Sequence, residues 1–159
     1  MDKLLELLRT DGNLSPDQLA EMLNTSAAEV QNRIQRYERE RVILGYRAIV
    51  NDEVADPEQV KAAIEISISP ERSGGFNRTA ERIARFEQVD SCFLMSGGYD
   101  LLLFVHGKNL REVASFVSEK LATLENVRST ATHFILKTYK RHGVLMTEET
   151  AGERLKVAP

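Results

Sequence analysis

A single cysteine, Cys92, stands in this chain of 159 residues, so no disulfide can form within it. Long apolar runs are also missing, since stretches such as 101–105 fall far short of the roughly 18 residues that a membrane-spanning helix needs. The first residues, 1–6, are amphipathic and do not resemble a signal peptide. We therefore expect a soluble protein of the reducing cytoplasm that has no membrane partner.

Neither sign of charge predominates. Lys and Arg number 21 against 24 Asp and Glu, which gives a net charge of -3. An overall excess of positive charge would indicate a polyanionic partner, and this chain has none. Any nucleic-acid binding must therefore come from a local cluster of basic residues. The N-terminal third offers one, because five arginines fall between positions 33 and 47.

Motifs for catalysis or metal binding are scarce. The three histidines, His106, His133 and His142, are scattered, and no His-x-x-x-His, Cys-x-x-Cys, P-loop or Gly-x-Ser-x-Gly spacing occurs. Cys92 lies in an apolar segment, which indicates packing and not an activated nucleophile. The sequence predicts that the protein is not an enzyme and has no catalytic residues, metal site or cofactor.

The first third of the chain has helical periodicity and predicts three short helices. The first carries leucines between positions 4 and 8 and ends at the breaker Asp11-Gly12-Asn13. The second and third begin with capping boxes, at Ser15-Pro16-Asp17-Gln18 and at Ser26-Ala27-Ala28-Glu29. A helix pair joined by a short turn is typical of a helix-turn-helix, whose second helix enters the DNA major groove.

The third helix, 26–39, is expected to contact DNA, because Val30, Ile34 and Tyr37 share one inward face and the other face is polar. Asn and Gln bond adenine, and Arg bonds guanine, so base contacts are predicted for Gln31, Asn32, Gln35 and Arg36. Contacts to the DNA backbone are predicted for Arg33, Arg39, Arg41 and Arg47 and for the capping hydroxyls of Ser15 and Ser26. The alternative is an ordinary solvated helix face, which Glu29, Glu38 and Glu40 favour.

The β-branched and aromatic stretch 42–50 predicts a small hairpin or an extended wing. We therefore expect a winged helix-turn-helix over 1–50, a linker over 51–60, a second domain over 61–141 and a C-terminal tail over 142–159. The charged end of that tail, 146–159, is expected to form one amphipathic turn or to fray, and it is assigned no function.

The second domain alternates between strand-like and helix-like segments in the order β-α-β-β-α-β. These segments are 63–69, 76–86, 91–96, 101–106, 110–124 and 127–139. The order predicts a ferredoxin-like antiparallel sheet with both helices on one face, so the fold class is α+β. Because 101–105 is apolar at every position, the second face of the sheet should also be covered, most simply by a second copy of the chain.

A second candidate site lies between two strands, at Ser96-Gly97-Gly98-Tyr99-Asp100, together with the hydroxyl-rich Ser129-Thr130-Ala131-Thr132. Glycine backbone allows close approach, Asp100 can accept from an ammonium group, and the hydroxyls suit a carboxylate or an amine. A zwitterionic amino acid would match these groups. The alternative is a tight hairpin in which the glycines supply positive φ and Asp100 bonds its own backbone.

The order of these motifs resembles the leucine-responsive regulatory protein/AsnC family, the feast/famine transcriptional regulators. The likeness rests on Val42-Ile43-Leu44-Gly45-Tyr46, on the segment 97–102 and on the segment 127–137. It implies a winged helix that binds double-stranded DNA, a ligand-sensing domain of the RAM type, homodimers formed through the sheets and often octamers of four dimers. The family commonly has a glycine just before the Val-Ile pair, where this chain has Arg41.

The resemblance also implies amino-acid effectors bound between dimers near the Gly-Tyr-Asp loop. Carried over by position, the effector-site candidates are Gly97, Gly98, Tyr99, Asp100, Ser129, Thr130 and Thr132. We therefore expect a sequence-specific regulator whose DNA affinity or assembly responds to a small amino acid. The alternatives are an enzyme resembling the siroheme decarboxylases, which share the two-domain plan, and a metabolite-sensing module without DNA binding.

Overall fold

A computed structural model describes residues 2–69 and 77–146. The chain divides into two compact units, residues 1–49 and 50–159. Within the described ranges, no helix combines the length and the apolar character that crossing a membrane requires.

The N-terminal unit consists of three helices, as the sequence predicts. They are α1 (Lys3–Thr10), α2 (Pro16–Leu23) and α3 (Ala27–Arg39). Their core is formed by Leu4, Leu19, Ala20, Val30 and Tyr37. The inward face predicted for α3 is thereby confirmed.

The two predicted capping boxes have different outcomes. At α2 the box is complete, since Ser15 Oγ accepts from the Gln18 N–H and the Gln18 side chain accepts from the Ser15 N–H. At α3 only half of it forms. Ser26 Oγ accepts from the Glu29 N–H, but the Glu29 carboxylate accepts instead from the Thr25 hydroxyl at 2.7 Å. The reciprocal box predicted there was wrong, because a neighbouring hydroxyl takes the carboxylate.

The predicted wing does not form a hairpin. Residues 43–50 belong to neither a helix nor a strand. Ile43 stays attached to the end of α3 through its N–H, which donates to Tyr37 O at 3.1 Å. Leu44 and Tyr46 are exposed, so the segment lacks the cross-strand packing that stabilises a hairpin. The hairpin alternative was therefore wrong for this chain on its own.

The C-terminal unit is built on one four-stranded antiparallel sheet. Its strands are β1 (Val60–Ile68), β2 (Val89–Leu94), β3 (Leu101–Gly107) and β4 (Val127–Phe134), in the order β2-β3-β1-β4. A short helix, α4 (Asp52–Ala55), precedes β1. Helix α5 (Asn77–Ala84) follows β1, and α6 (Leu110–Ser115) follows β3 and continues as a π-helix, Phe116–Leu121. The predicted ferredoxin-like order is confirmed.

Helices cover one face of this sheet. Alternate residues of β1 and β3 turn toward them and are buried together with Ile83, Val113, Phe116 and Leu121 from the helices. The opposite face carries Phe93 and Phe104, whose rings meet edge to face with centroids 6.3 Å apart. These two side chains are 49% and 37% exposed in the single chain. An exposed apolar face of this kind is the surface that the sequence predicts to be covered.

Several details differ from the sequence prediction. The predicted linker contains α4, and β4 ends at Phe134, although the Ile135 N–H still donates to Lys61 O of β1 at 2.8 Å. Residues 136–139 belong to no strand. A small hairpin, β5 (Lys140–Arg141) and β6 (Val144–Leu145), was not predicted. The helix expected over 110–124 changes to π geometry halfway along. The predictions for Phe76 and for 147–159 lie outside the described residues.

Candidate functional site

The exposed face of α3 groups most of the predicted DNA-binding side chains. Asn32, Gln35, Arg36 and Arg39 follow the i, i+3, i+4, i+7 spacing of a single helix stripe, and Gln31 lies beside them. All five are exposed, whereas Val30 and Tyr37 on the other side are buried. The Arg36 guanidinium lies over the Tyr37 ring, 5.5 Å from its centroid. Amide and guanidinium groups on one exposed stripe are suited to base edges in a major groove.

Arg33 does not belong to this stripe. Its Nη2 bonds the carboxylate of Asp2 at 2.6 and 2.7 Å, and the Tyr37 hydroxyl also bonds that carboxylate. Asp2 is the N-cap of α1 and accepts from the Leu4 N–H at 2.9 Å. Arg33 is therefore held against α1, where it stabilises helix packing, and it is less available for a phosphate than the sequence predicts. Nothing in the local sequence identifies Asp2 as its partner.

Arg41 has an unusual backbone. Its φ is +57°, in the left-handed region, and it occupies the position after the C-cap of α3. The Arg41 N–H donates to Glu38 O at 3.1 Å, and the Val42 N–H donates to Tyr37 O at 2.8 Å. This is the Schellman pattern, which usually has glycine at this position. An L-residue with a side chain is disfavoured there by roughly 1–2 kcal/mol.

The remaining residues predicted to contact DNA lie outside the exposed stripe of α3. The hydroxyl oxygens of Ser15 and Ser26 accept from the backbone N–H groups of Gln18 and Glu29, each at 3.2 Å, so both primarily cap helices. Arg47 lies exposed in the irregular segment 43–50. The structure thus places Arg39 and Arg47 in solvent, and it places Ser15 and Ser26 at the beginnings of α2 and α3.

The loop between β2 and β3 lies at one end of the sheet, beside the end of β1. The Asp100 N–H donates to Ile66 O at 2.9 Å, and Asp100 Oδ2 accepts from the Ile68 N–H at 2.8 Å. One oxygen of the carboxylate therefore closes the end of β1. Among the described residues, the other oxygen has no hydrogen-bond donor, so it could accept from an ammonium group.

The two loop glycines are not equivalent. Gly97 has φ +135°, which an L side chain rarely adopts, whereas Gly98 has an ordinary φ. A Cβ atom built at Gly98 meets no atom within 4 Å. The fold of the single chain therefore requires glycine at position 97 but not at position 98.

The predicted hydroxyl groups of β4 do not all lie together. Thr130 pairs with Ile66 and Thr132 pairs with Ile64, so both side chains lie on the helix-covered face. Ser129 points to the opposite face, because successive side chains of a strand alternate. Ile66 of β1 pairs with Leu101 on one side and with Thr130 on the other, so β1 lies between Thr130 and the strand that follows the loop. The structure thus places Thr130 and Thr132 on the helix-covered face of β4 and Ser129 on the opposite face, with β1 between β4 and the strand that follows the loop.

A polar cluster missed by the sequence analysis fixes the segment that leads into β1. The Asp52 carboxylate accepts from Lys61 Nζ at 2.6 Å and from the Arg141 guanidinium. Burial alone would raise the pKa of Asp52, but these hydrogen bonds outweigh it and the pKa is lowered. Asn51 Nδ2 adds a bond to Met146 O at 3.4 Å. The hairpin β5–β6, which the sequence did not predict, therefore anchors the segment 51–60 that was predicted to be a linker.

No His, Cys, Asp and Glu cluster suited to a metal ion occurs among residues 2–69 and 77–146. Burial raises the pKa of the Cys92 thiol, which keeps it protonated and unreactive at neutral pH. His106 Nδ1 lies 3.0 Å from Asp90 Oδ1, and His133 Nε2 lies 3.4 Å from Glu65 Oε1. The two histidines are thus engaged in separate pairs on the sheet.

Comparison with known proteins matches each unit to a family model. Residues 2–38 match the AsnC-type helix-turn-helix domain. Residues 61–145, more than half of the chain, match the Lrp/AsnC ligand binding domain. The ligand-binding domain of this family binds small-molecule effectors, and the matched families are those of regulators, not enzymes.

Individual relatives agree over nearly the whole length. The chain is 40% identical over 158 residues to a helix-turn-helix transcriptional regulator of Bacillus subtilis, with 99% of this chain and 95% of the relative covered. It is 27% identical over 144 residues to the leucine-responsive regulatory protein of Haemophilus influenzae, with 91% and 86% covered.

Solved structures share the architecture. The leucine response regulatory protein of Mycobacterium tuberculosis has a TM-score of 0.75 at 25% identity, with 92% of this chain and 100% of that chain covered. A transcriptional regulator of Neisseria meningitidis, solved in complex with L-methionine, has a TM-score of 0.68 at 24% identity, with 89% and 93% covered. The chain belongs to the Lrp/AsnC family of transcriptional regulators, with an AsnC-type helix-turn-helix DNA-binding domain followed by a ligand-binding domain.

Proposed function

We propose that this regulator binds pseudo-palindromic DNA as a dimer, with α3 of each protomer in the major groove of one half-site. Half-sites about one helical turn apart would match the two-fold symmetry of such a dimer. The observation that carries the proposal is the exposed stripe of α3, where Asn32, Gln35 and Arg36 project away from the core. Each of these residue types can bond a base edge through two hydrogen bonds.

Fluorescence anisotropy tests DNA binding directly. The full chain is titrated into a labelled duplex taken from upstream of its own gene and into a random-sequence duplex, over a series of salt concentrations. We expect tighter binding to the first duplex and a linear fall of log K with log salt, because phosphate contacts release counterions. Failure to bind either duplex at low salt contradicts the proposal.

We propose further that a second copy packs on the sheet face that carries Phe93 and Phe104. Exposed apolar patches on a regulator of this size are suited to protein interfaces, and a shared patch makes a two-fold dimer. Four such dimers would form the octamer that the family resemblance implies. Light scattering on the full chain, with and without each amino acid, distinguishes monomer, dimer and octamer and detects any change in assembly.

For the effector, we propose a small amino acid at the loop 97–100. The Asp100 oxygen that has no donor among the described residues would accept from its ammonium group. The glycine backbone would bind its carboxylate, with the Thr130 hydroxyl on the other side of β1 as a further donor. The complex of the Neisseria relative with L-methionine supports an amino-acid ligand. A thermal-shift series with each proteinogenic amino acid should give at least one increase in Tm. A series without any increase contradicts an amino-acid effector.

A further inference from the structure

We propose that the Arg41 guanidinium contacts a DNA phosphate beside the half-site, and that the chain retains arginine there against the preference of the backbone. This inference rests on the proposed function, since it takes α3 to lie on DNA. It concerns the position after the C-cap of α3, where a helix end of this geometry usually has glycine.

The backbone conformation is the first observation. Arg41 has φ +57° and provides the left-handed residue that ends α3. Helix α2 ends with the same conformation at Asn24, whose φ is +53°. Asparagine tolerates the left-handed region better than most residues, and glycine tolerates it best. The chain therefore uses a tolerant residue at the end of α2 and a poorly suited one at the end of α3.

The side chain provides the second observation. Arg41 is exposed and forms no ion pair with the residues described. The adjacent Glu38 carboxylate instead accepts from the Tyr46 hydroxyl at 3.2 Å. Arg41 follows Arg39, the last residue of the exposed stripe, by only two positions. A guanidinium has five N–H donors in a planar fork, which suits the bidentate binding of phosphate oxygens.

A purely structural explanation also exists and gives a different result. A cation at a helix C-terminus interacts favourably with the helix dipole. If that interaction explained Arg41, removing the charge would lower stability and leave DNA binding unchanged. If phosphate binding explains it, removing the charge would weaken DNA binding while the more tolerant backbone preserves stability.

The test compares Arg41→Asn, Arg41→Gly and Arg41→Lys in the full chain, with Arg111→Gln as a control that removes an exposed arginine from α6. Tm and anisotropy are measured with the upstream and random duplexes. We expect the Asn and Gly variants to keep or raise the Tm. Their affinity for both duplexes should fall by the same factor, about fivefold per bound protomer at 0.15 M salt. The salt slope should fall by about 0.9 per protomer. The Lys variant should keep the slope, and the Arg111 variant should change neither property.

Other outcomes overturn the inference. A lower Tm for the Asn and Gly variants with an unchanged salt slope identifies Arg41 as a structural cap. Weaker binding to the upstream duplex alone identifies it as a base contact. If the wild type binds DNA and the variants bind equally well, only the inference about Arg41 fails. If the wild type binds neither duplex, the proposed function itself fails.

Discussion

Nη2 of Arg33 on α3 lies 2.6 and 2.7 Å from the two carboxylate oxygens of Asp2, the residue that caps α1. The Tyr37 hydroxyl, one turn further along α3, bonds the same carboxylate. The Asp2 carboxylate thus caps the N-terminus of α1 and links α1 to α3. The inner side of the proposed DNA-contacting helix is fixed by a residue 31 positions away.

This arrangement predicts a specific acid sensitivity. The Tyr37 hydroxyl, the Leu4 N–H and Arg33 lower the pKa of Asp2 from 3.8 to about 2. Because folding favours the charged carboxylate, its stabilisation is present above pH 4 and is lost as the pH falls toward 2. We expect Asp2→Asn to lower the free energy of unfolding by about 1–2 kcal/mol at neutral pH and to reduce the acid dependence. Thermal unfolding over a pH series measures both effects.

Asp17→Asn is the matched control, since Asp17 is an exposed aspartate in the first turn of α2. It should leave the acid dependence below pH 4 close to that of the wild type. An Asp2→Asn variant with wild-type stability and acid dependence would show that the Asp2 cluster contributes nothing to folding.

We expect Arg33 to contribute to helix packing and Arg39 to contribute to DNA binding. Arg33→Gln removes the partner of Asp2, so it should lower the Tm and leave the salt dependence of DNA binding nearly unchanged. Arg39→Gln removes an exposed charge from the stripe, so it should keep the Tm and reduce the salt slope by about 0.9 per protomer. Parallel Tm and anisotropy measurements check the pair, and the reverse pattern contradicts the assignment.

Asp100 allows its structural and binding roles to be tested separately. Asp100→Ala leaves the Ile68 N–H without its acceptor and should destabilise the fold by about 1–3 kcal/mol. Asp100→Asn retains an oxygen acceptor and removes the charge, so it should fold normally and lose the Tm increase caused by an amino acid. Gly98→Ala should also fold normally, and it should lose the effect if a ligand approaches that backbone closely. An Asp100→Asn protein that keeps the full ligand effect excludes a bond between this carboxylate and the ammonium group.

The exposed sheet face gives a prediction about assembly. Phe104→Glu places a charge at the centre of that face and should convert dimers to monomers in light scattering. Leu94→Glu is the matched control: Leu94 is 59% exposed, but its partner Leu101 is buried, so it lies on the helix-covered side. The control should remain dimeric. If the Phe104→Glu variant remains dimeric in light scattering, the protomers associate through another surface.

The sequence predicts what depends on local periodicity. The three N-terminal helices follow from their apolar spacing and caps, and the β-α-β-β-α-β order follows from the succession of strand-like and helix-like segments. Leu101, Leu103 and Val105 point inward, as an alternating strand requires, although apolar residues occupy every position between them. The secondary structure of both domains is therefore predictable from local sequence patterns alone.

Features that depend on distant partners were not predictable. The bond between Arg33 and Asp2 joins positions 31 apart, and the one between Arg141 and Asp52 joins positions 89 apart. Ser129 and Thr130 lie on opposite faces because strand side chains alternate, but which of them faces the helices depends on the pairing of β4 with β1. The left-handed backbone conformation of Arg41 could not be predicted either, because residues other than glycine rarely have a positive φ.

The most direct test of the account compares specific and random DNA for Asn32→Ala and Arg36→Ala. Each substitution removes a predicted base contact from the exposed stripe, so binding to the upstream duplex should weaken by about 1–3 kcal/mol. Binding to the random duplex should change little, and the two affinities should converge. If both variants keep wild-type discrimination between the duplexes, α3 does not read the DNA sequence through this stripe.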